Sequence, residues 1–219
     1  MSTKQKILAI VLASPVFLLL LGFVTLRFIY KPYHMSQKSM EPTILTGDRV
    51  IADTAAYADS GPQRGDLLAF RSPRNESVTY IKRVVALGGE RVAVRESLVL
   101  INDEPLTATE ISDRTPLEGM ADNPAIKELL RESSGQRSWY VLRNREEHRM
   151  FTKDWPRQGE YTVPSGHVFV LGDNRDNSTD SRQWGSIPPR LMVGRIDRIA
   201  WSRHPDGGLR TARFLQPLP

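Results

Sequence analysis

The sequence predicts a mainly β protein whose packed antiparallel sheets form a core with an inserted smaller lobe, preceded by one transmembrane helix. Many short runs of β-branched and apolar residues alternate with glycine, proline and Asn-Asp turns along the body of the chain. A single uncharged apolar stretch, residues 7–26, precedes that body. Residues 103–160 differ from both regions because charged side chains are dense there.

The apolar stretch, ILAIVLASPVFLLLLGFVTL, has the length of about 20 residues that a membrane-crossing helix needs. We predict a retained anchor over residues 1–31 rather than a cleavable signal peptide, because the run is longer than a usual signal core and no small-x-small site follows it. Basic residues on both sides nearly balance, so charge alone orients the helix only weakly. Membrane lipid is therefore a predicted partner.

The β-like runs place the core at residues 32–102 and 161–205, followed by a C-terminal tail over residues 206–219. Each run is bounded by turn residues, which is the pattern of antiparallel sheets. The predicted strands are RVIAD, DLLAF, VTYIKRVVAL, RVAVRESLVLI, GHVFVLGD and MVGRIDRIAW.

The inserted lobe, residues 103–160, carries charge runs such as RNREEHR. Within it NPAIKELLRE predicts a helix over residues 123–132, where Asn123 suits the cap and Pro124 the first helical position.

Composition excludes several kinds of site. The chain of 219 residues has no cysteine, which removes thiol nucleophiles, cysteine metal sites and disulfides together. Its net charge is +5, but the basic residues are spread along the sequence, so we predict no nucleic-acid partner. The acidic stretch DNRDNSTDS fails as a calcium loop, because Ser181 stands where glycine is needed and Ile187 where glutamate is needed. No metal or cofactor is predicted.

The stretch HMSQKSMEPTILTGDRVI contains Ser39, which is either a nucleophile or part of a turn leading into a strand. A serine nucleophile needs a base, and none of the four histidines lies in a recurring motif. In YIKRVV the strand period places Lys82 on one face with Tyr80 and Val84. A surface lysine on an edge strand is the alternative. If Lys82 is buried, desolvation favours the neutral amine, which can take a proton from a hydroxyl.

Three segments, SMEPTILTGDRVI, RGDLLAF with YIKRVVALGGE, and GDNRDNSTDSRQWGSIP, resemble the successive sequence boxes of bacterial type I signal peptidases, the membrane-bound Ser/Lys leader peptidases. The boxes occur in the family's order and cover most of the body, leaving the inserted lobe unmatched. The resemblance implies that Ser39 is the nucleophile and Lys82 the general base. It also implies that Ser178 hydrogen-bonds the lysine amine beside an Asp180–Arg182 ion pair. Gly172, Asp173 and Asn174 would shape the loop behind the dyad.

One position departs from a well-studied part of the family. Gln37 stands where a serine hydroxyl helps to hold the oxyanion, and its amide is predicted to donate there instead. The neighbouring residues Met35, Met40, Tyr80 and Ile81 are predicted to contact substrate.

The resemblance implies a membrane-bound serine endopeptidase that removes signal peptides from exported preproteins, bound as extended strands with small residues at the first and third positions before the cut. It implies a single-pass protein of the inner cell membrane with its catalytic body outside the cytoplasm. A specialised processing peptidase, such as one for a conjugative pilus subunit, and an inactive membrane-tethered binding protein are the alternatives.

Overall fold

The computed structural model describes residues 29–95, 98–120, 127–144, 155, 156 and 160–219, together with residues 15 and 17–19. The predicted anchor lies almost entirely outside these residues. No helix within the described residues is long and apolar enough to cross a membrane.

The described chain is mainly β and its sheets are antiparallel, which confirms this part of the predicted fold class. The strands are β1 (Tyr30–His34), β2 (Asp48–Asp53), β3 (Leu67–Arg71), β4 (Thr79–Leu87), β5 (Arg91–Arg95), β6 (Leu98–Ile101), β7 (Glu104–Pro105), β8 (Thr107–Glu110), β9 (Lys127–Ser134), β10 (Arg137–Asn144), β11 (Tyr161–Thr162), β12 (Val168–Leu171) and β13 (Met192–Ser202). A one-turn helix α1 (Ser181–Trp184) and 3-10 turns at Thr115–Leu117, Pro189–Leu191 and Thr211–Arg213 accompany them.

The strands of the described residues form three sheets. The largest has the order β1-β2-β13-β3-β4-β12, the second β11-β5-β6-β7 and the third β10-β9-β8. The predicted run RVAVRESLVLI is divided into two strands that pair with each other, Val94 opposite Val99. The turn after β6 places Asn102 and Asp103 at positive φ, as two-residue hairpin turns require.

The predicted helix over residues 123–132 is wrong for its described part. Residues from Lys127 onward form β9, which pairs with β8 on one side and β10 on the other. Neighbouring side chains Leu129 and Leu130 are both buried but pack into different apolar clusters, as opposite faces of a strand do. Pairing on both edges therefore overrides the local helix pattern. Asn123 and Pro124 lie outside the described residues, and the lobe boundaries 103 and 160 stay a prediction.

Packing of the turn after β1 brings Ser39 to the main sheet. Met40 and Ile44, within this turn, are fully buried and share an apolar cluster with Leu67 of β3 and Ile81 of β4. Burying a side chain of this size contributes about 2 kcal/mol. The turn is thereby held against the strand that carries Lys82.

Candidate active site

Backbone hydrogen bonds fix Ser39 in the turn between β1 and β2. Its side chain is buried, and its carbonyl oxygen accepts a hydrogen bond of 3.1 Å from the backbone N–H of Asn174. The Asn174 side-chain amide donates to the carbonyl oxygen of Lys38 at 3.1 Å. The segment that holds Asn174 thus supports the chain on which Ser39 lies.

Lys82 lies in the middle of β4 with 1% of its surface exposed. Its Nζ donates to Ser39 Oγ at 2.6 Å. Burial lowers the pKa of Lys82 from 10.5 to about 8, against the opposing influence of Asp180 and Asp173. The Tyr80 ring centroid lies 5.5 Å from Nζ, and the Trp184 ring lies 5.3 Å from that of Tyr80, so aromatic side chains take the place of water beside the amine.

Each of the two carboxylates whose charges act on the pKa of Lys82 is bound by an arginine. Asp180 accepts two hydrogen bonds of 2.8 Å from Arg182, and Asp173 accepts bonds of 2.8 and 2.7 Å from Arg83. Burial acts to raise the pKa of Asp180, but the Arg182 guanidinium and the Gly172 N–H outweigh it, so the pKa lies below its ordinary value. No direct ion pair joins Lys82 to either carboxylate in the described part of the chain.

Gly172 is placed where a side chain would invade the site. A Cβ built there would lie 2.2 Å from Ser178 Oγ and 2.5 Å from the Ser39 carbonyl oxygen, so only glycine fits without a shift. Ser178 Oγ is buried beside the Asp180 carboxylate and helps to lower its pKa, and no hydrogen bond joins Ser178 to Lys82 in the described residues. The lysine amine instead donates to Ser39.

A groove of about 140 Å³ opens beside the Ser39–Lys82 pair. Met35, Gln37, Tyr80 and Ile81 line it together with both members of the pair. Gln37 is exposed within this groove, and its oxyanion role stays a prediction. Met40 was also predicted to contact substrate. It is instead fully buried in the core and does not line the groove.

Several supporting residues escaped the sequence analysis. Arg83 and Thr43 both donate to Asp173, and Arg175 forms a buried ion pair with Glu132. The position of Arg83 inside the apolar run YIKRVV was a signal for a buried acidic partner. No such signal marked Glu132, because the sequence of its segment matched a helix. The described residues contain no group of three or more His, Asp or Glu side chains able to hold a metal ion.

Comparison with known proteins places the chain in a family. The sequence profile of the family described as "Signal peptidase, peptidase S26" matches residues 7–201. The chain belongs to the S26 signal peptidase family. A signal peptidase I from Pseudomonas aeruginosa is 30% identical over 211 residues, covering 86% of this chain and 70% of that protein. A signal peptidase IB from Staphylococcus aureus is 27% identical, with 90% of this chain and 91% of that protein covered.

A solved structure of a signal peptidase I from Enterococcus faecalis is also similar to this S26 peptidase. The identity is 29%, with 62% of this chain and 97% of that chain covered and a TM-score of 0.37.

Proposed function

We propose that this S26 peptidase is a membrane-anchored serine endopeptidase that removes signal peptides from exported preproteins, with Ser39 as nucleophile and Lys82 as general base. The observation that carries the proposal is the buried 2.6 Å contact between Lys82 Nζ and Ser39 Oγ in a member of this family. A hydroxyl and an amine at this distance can exchange a proton directly. Residues 1–31 would serve as the anchor, with the catalytic body outside the cytoplasm.

The neutral Lys82 amine takes the Ser39 proton as Oγ attacks the carbonyl carbon of the scissile peptide bond. Lys82 then gives that proton to the leaving amine, which produces an acyl-enzyme on Ser39 and frees the mature N-terminus. A water molecule, deprotonated by Lys82, hydrolyses the ester and releases the signal peptide. The Ser39 backbone N–H and the Gln37 amide are the proposed donors to the oxyanion.

The groove supports a preference for small side chains before the cut. Its volume is about 140 Å³, and the buried side chains of Met35 and Ile81 contribute to its lining. A small apolar side chain fits such a space at lower cost than a large or charged one, since a charged group there would be desolvated. Alanine at the first and third positions before the cut suits this description.

The test uses the full-length protein purified in detergent and a preprotein whose signal peptide ends in Ala-x-Ala. We expect one cut after the second alanine, located by mass spectrometry of the new N-terminus. The Ser39→Ala variant should keep its circular dichroism spectrum and lose the cut, because Ser39 Oγ is the hydroxyl that Lys82 Nζ contacts. Cleavage by Ser39→Ala at the wild-type rate would disprove the dyad, and an inert wild-type protein would favour the binding-protein alternative.

A further inference from the structure

A buried ion pair joins the sheet of β8, β9 and β10 to the segment behind Ser39. Arg175 donates to both carboxylate oxygens of Glu132, one of them at 2.5 Å, and its Nε donates to the Gly172 carbonyl oxygen at 3.1 Å. Glu132 is 1% exposed and Arg175 5% exposed. The Trp139 indole N–H donates to the same carboxylate at 3.1 Å, so Glu132 is held within its own sheet as well.

The backbone of the segment 172–175 is attached to the same sheet. Leu142 of β10 donates its N–H to the Asp173 carbonyl oxygen at 2.8 Å, and its own carbonyl oxygen accepts from the Arg175 N–H at 2.9 Å. The segment therefore pairs with β10 through one isolated parallel bridge, Leu142 opposite Asn174, and the Glu132–Arg175 pair fixes its position through side chains.

The segment then contacts the nucleophile. Asn174 donates its backbone N–H to the Ser39 carbonyl oxygen at 3.1 Å and its side-chain amide to the Lys38 carbonyl oxygen at 3.1 Å. We infer that Glu132 is a positioning residue for Ser39, acting through Arg175 and the segment 172–175. The inference rests on the proposed function in taking Ser39 as the nucleophile, and it assigns the β8–β9–β10 sheet a role in the reaction.

The Glu132–Arg175 pair is better explained by its effect on the orientation of the segment 172–175 than by a contribution to the stability of the fold. A buried ion pair contributes little net stability, since the loss of hydration cancels much of the attraction. Its two parallel hydrogen bonds do fix a guanidinium plane, and here that plane also holds the Gly172 carbonyl oxygen. Loosening the segment would displace the Ser39 carbonyl, and a small error in placing a reacting group can cost about a hundredfold in rate.

The experiment compares Glu132→Gln and Glu132→Ala with the control Arg137→Gln. Arg137, at the start of β10, pairs with Asp66 and so joins the same sheet to the core away from the segment 172–175. Hydrogen exchange by mass spectrometry would report the backbone N–H groups of residues 172–178. Kinetics with a peptide ending in Ala-x-Ala, at a temperature where each variant is fully folded, would give kcat, KM and the pH profile.

We expect both Glu132 variants to exchange faster over residues 172–178, and Arg137→Gln to match the wild type there. For Glu132→Ala, kcat should fall about ten- to a hundredfold with KM nearly unchanged and with the same midpoint in the pH profile. The loss of kcat should be smaller in Glu132→Gln, because the glutamine amide oxygen still accepts a hydrogen bond from Arg175. If Glu132 only stabilises the fold, its replacement will lower the melting temperature and leave kcat intact. That result would overturn the inference.

Three further outcomes are also decisive. An equal loss of kcat in Arg137→Gln would refute the specific path through Arg175, since any loosening of the sheet would then suffice. If the wild-type protein proves inert, the proposed function fails, and unchanged exchange in Glu132→Gln would separately refute the positioning role. Should Glu132→Ala not fold, Glu132→Gln and Glu132→Asp give the same comparison with the side chain largely kept.

Discussion

The proposed base makes a quantitative prediction about pH. Only the neutral amine of Lys82 can accept the Ser39 proton, so kcat/KM should rise with pH through the pKa of Lys82 and then level off. With that pKa at about 8, about a tenth of the enzyme carries the neutral amine at pH 7. At the ordinary value of 10.5 the neutral fraction at pH 7 would be about three in ten thousand. Burial of the amine thus accounts for roughly a 300-fold gain in active enzyme at pH 7.

The assay is kcat/KM from about pH 6 to pH 10 on a peptide without titratable side chains in this range. We expect a tenfold rise for each pH unit below the midpoint, a midpoint near 8 and a plateau above about 9. Lys82→Arg should be inactive throughout, because a guanidinium stays protonated. A continuing rise through pH 10 would refute the desolvated base. A midpoint near 6.5, the reference value of a histidine, would refute lysine as the base altogether.

Three other substitutions test the same site. Lys82→Met should stabilise the fold near neutral pH by about 2 kcal/mol in urea unfolding, since it removes a buried-ammonium cost of about 3 kcal/mol and one hydrogen bond of about 1 kcal/mol. The gain should shrink between pH 8 and 10.5, where only the unfolded lysine binds a proton; a loss of stability at pH 7 would contradict it. Gly172→Ala should abolish turnover, since its Cβ would lie 2.5 Å from the Ser39 carbonyl oxygen, while Gly208→Ala, with its nearest heavy atom 3.8 Å away, should not. Gln37→Ala should lower kcat about a hundredfold or more with KM unchanged, as loss of an oxyanion donor does, and unchanged kcat would exclude this role.

The main strands could be predicted from the sequence because their signal is local. Short apolar runs between turns mark β2, β3, β4, β12 and β13, and the structure has strands at each of these runs. The strand period places Lys82 between Tyr80 and Val84 on one face, and the lysine is 1% exposed. The pattern left a surface lysine on an edge strand open, and the pairing of β4 with β3 and β12 excludes the edge position.

The remaining features depend on contacts between distant residues. Glu132 meets Arg175, 43 positions later, and Arg83 meets Asp173, 90 positions later, so neither partner is indicated by its own neighbourhood. The helix pattern over residues 123–132 failed for the same reason, because the pairing of β9 with two other strands decides its conformation. Met40 was misassigned because adjacency to Ser39 does not determine which side of a turn faces the core.

The charges around Lys82 explain how an amine keeps a low pKa with two carboxylates nearby. Asp180 and Asp173 both act to raise the pKa of Lys82, but each is bound through two hydrogen bonds by an arginine, Arg182 and Arg83. A free carboxylate in contact with the amine would stabilise the ammonium and keep the lysine protonated. Because both acids are already paired, burial remains the largest influence on Lys82. On the proposed mechanism the two arginines therefore act on the base without contacting it. Each offsets the charge of a carboxylate that would otherwise stabilise the ammonium of Lys82 and so inactivate the base.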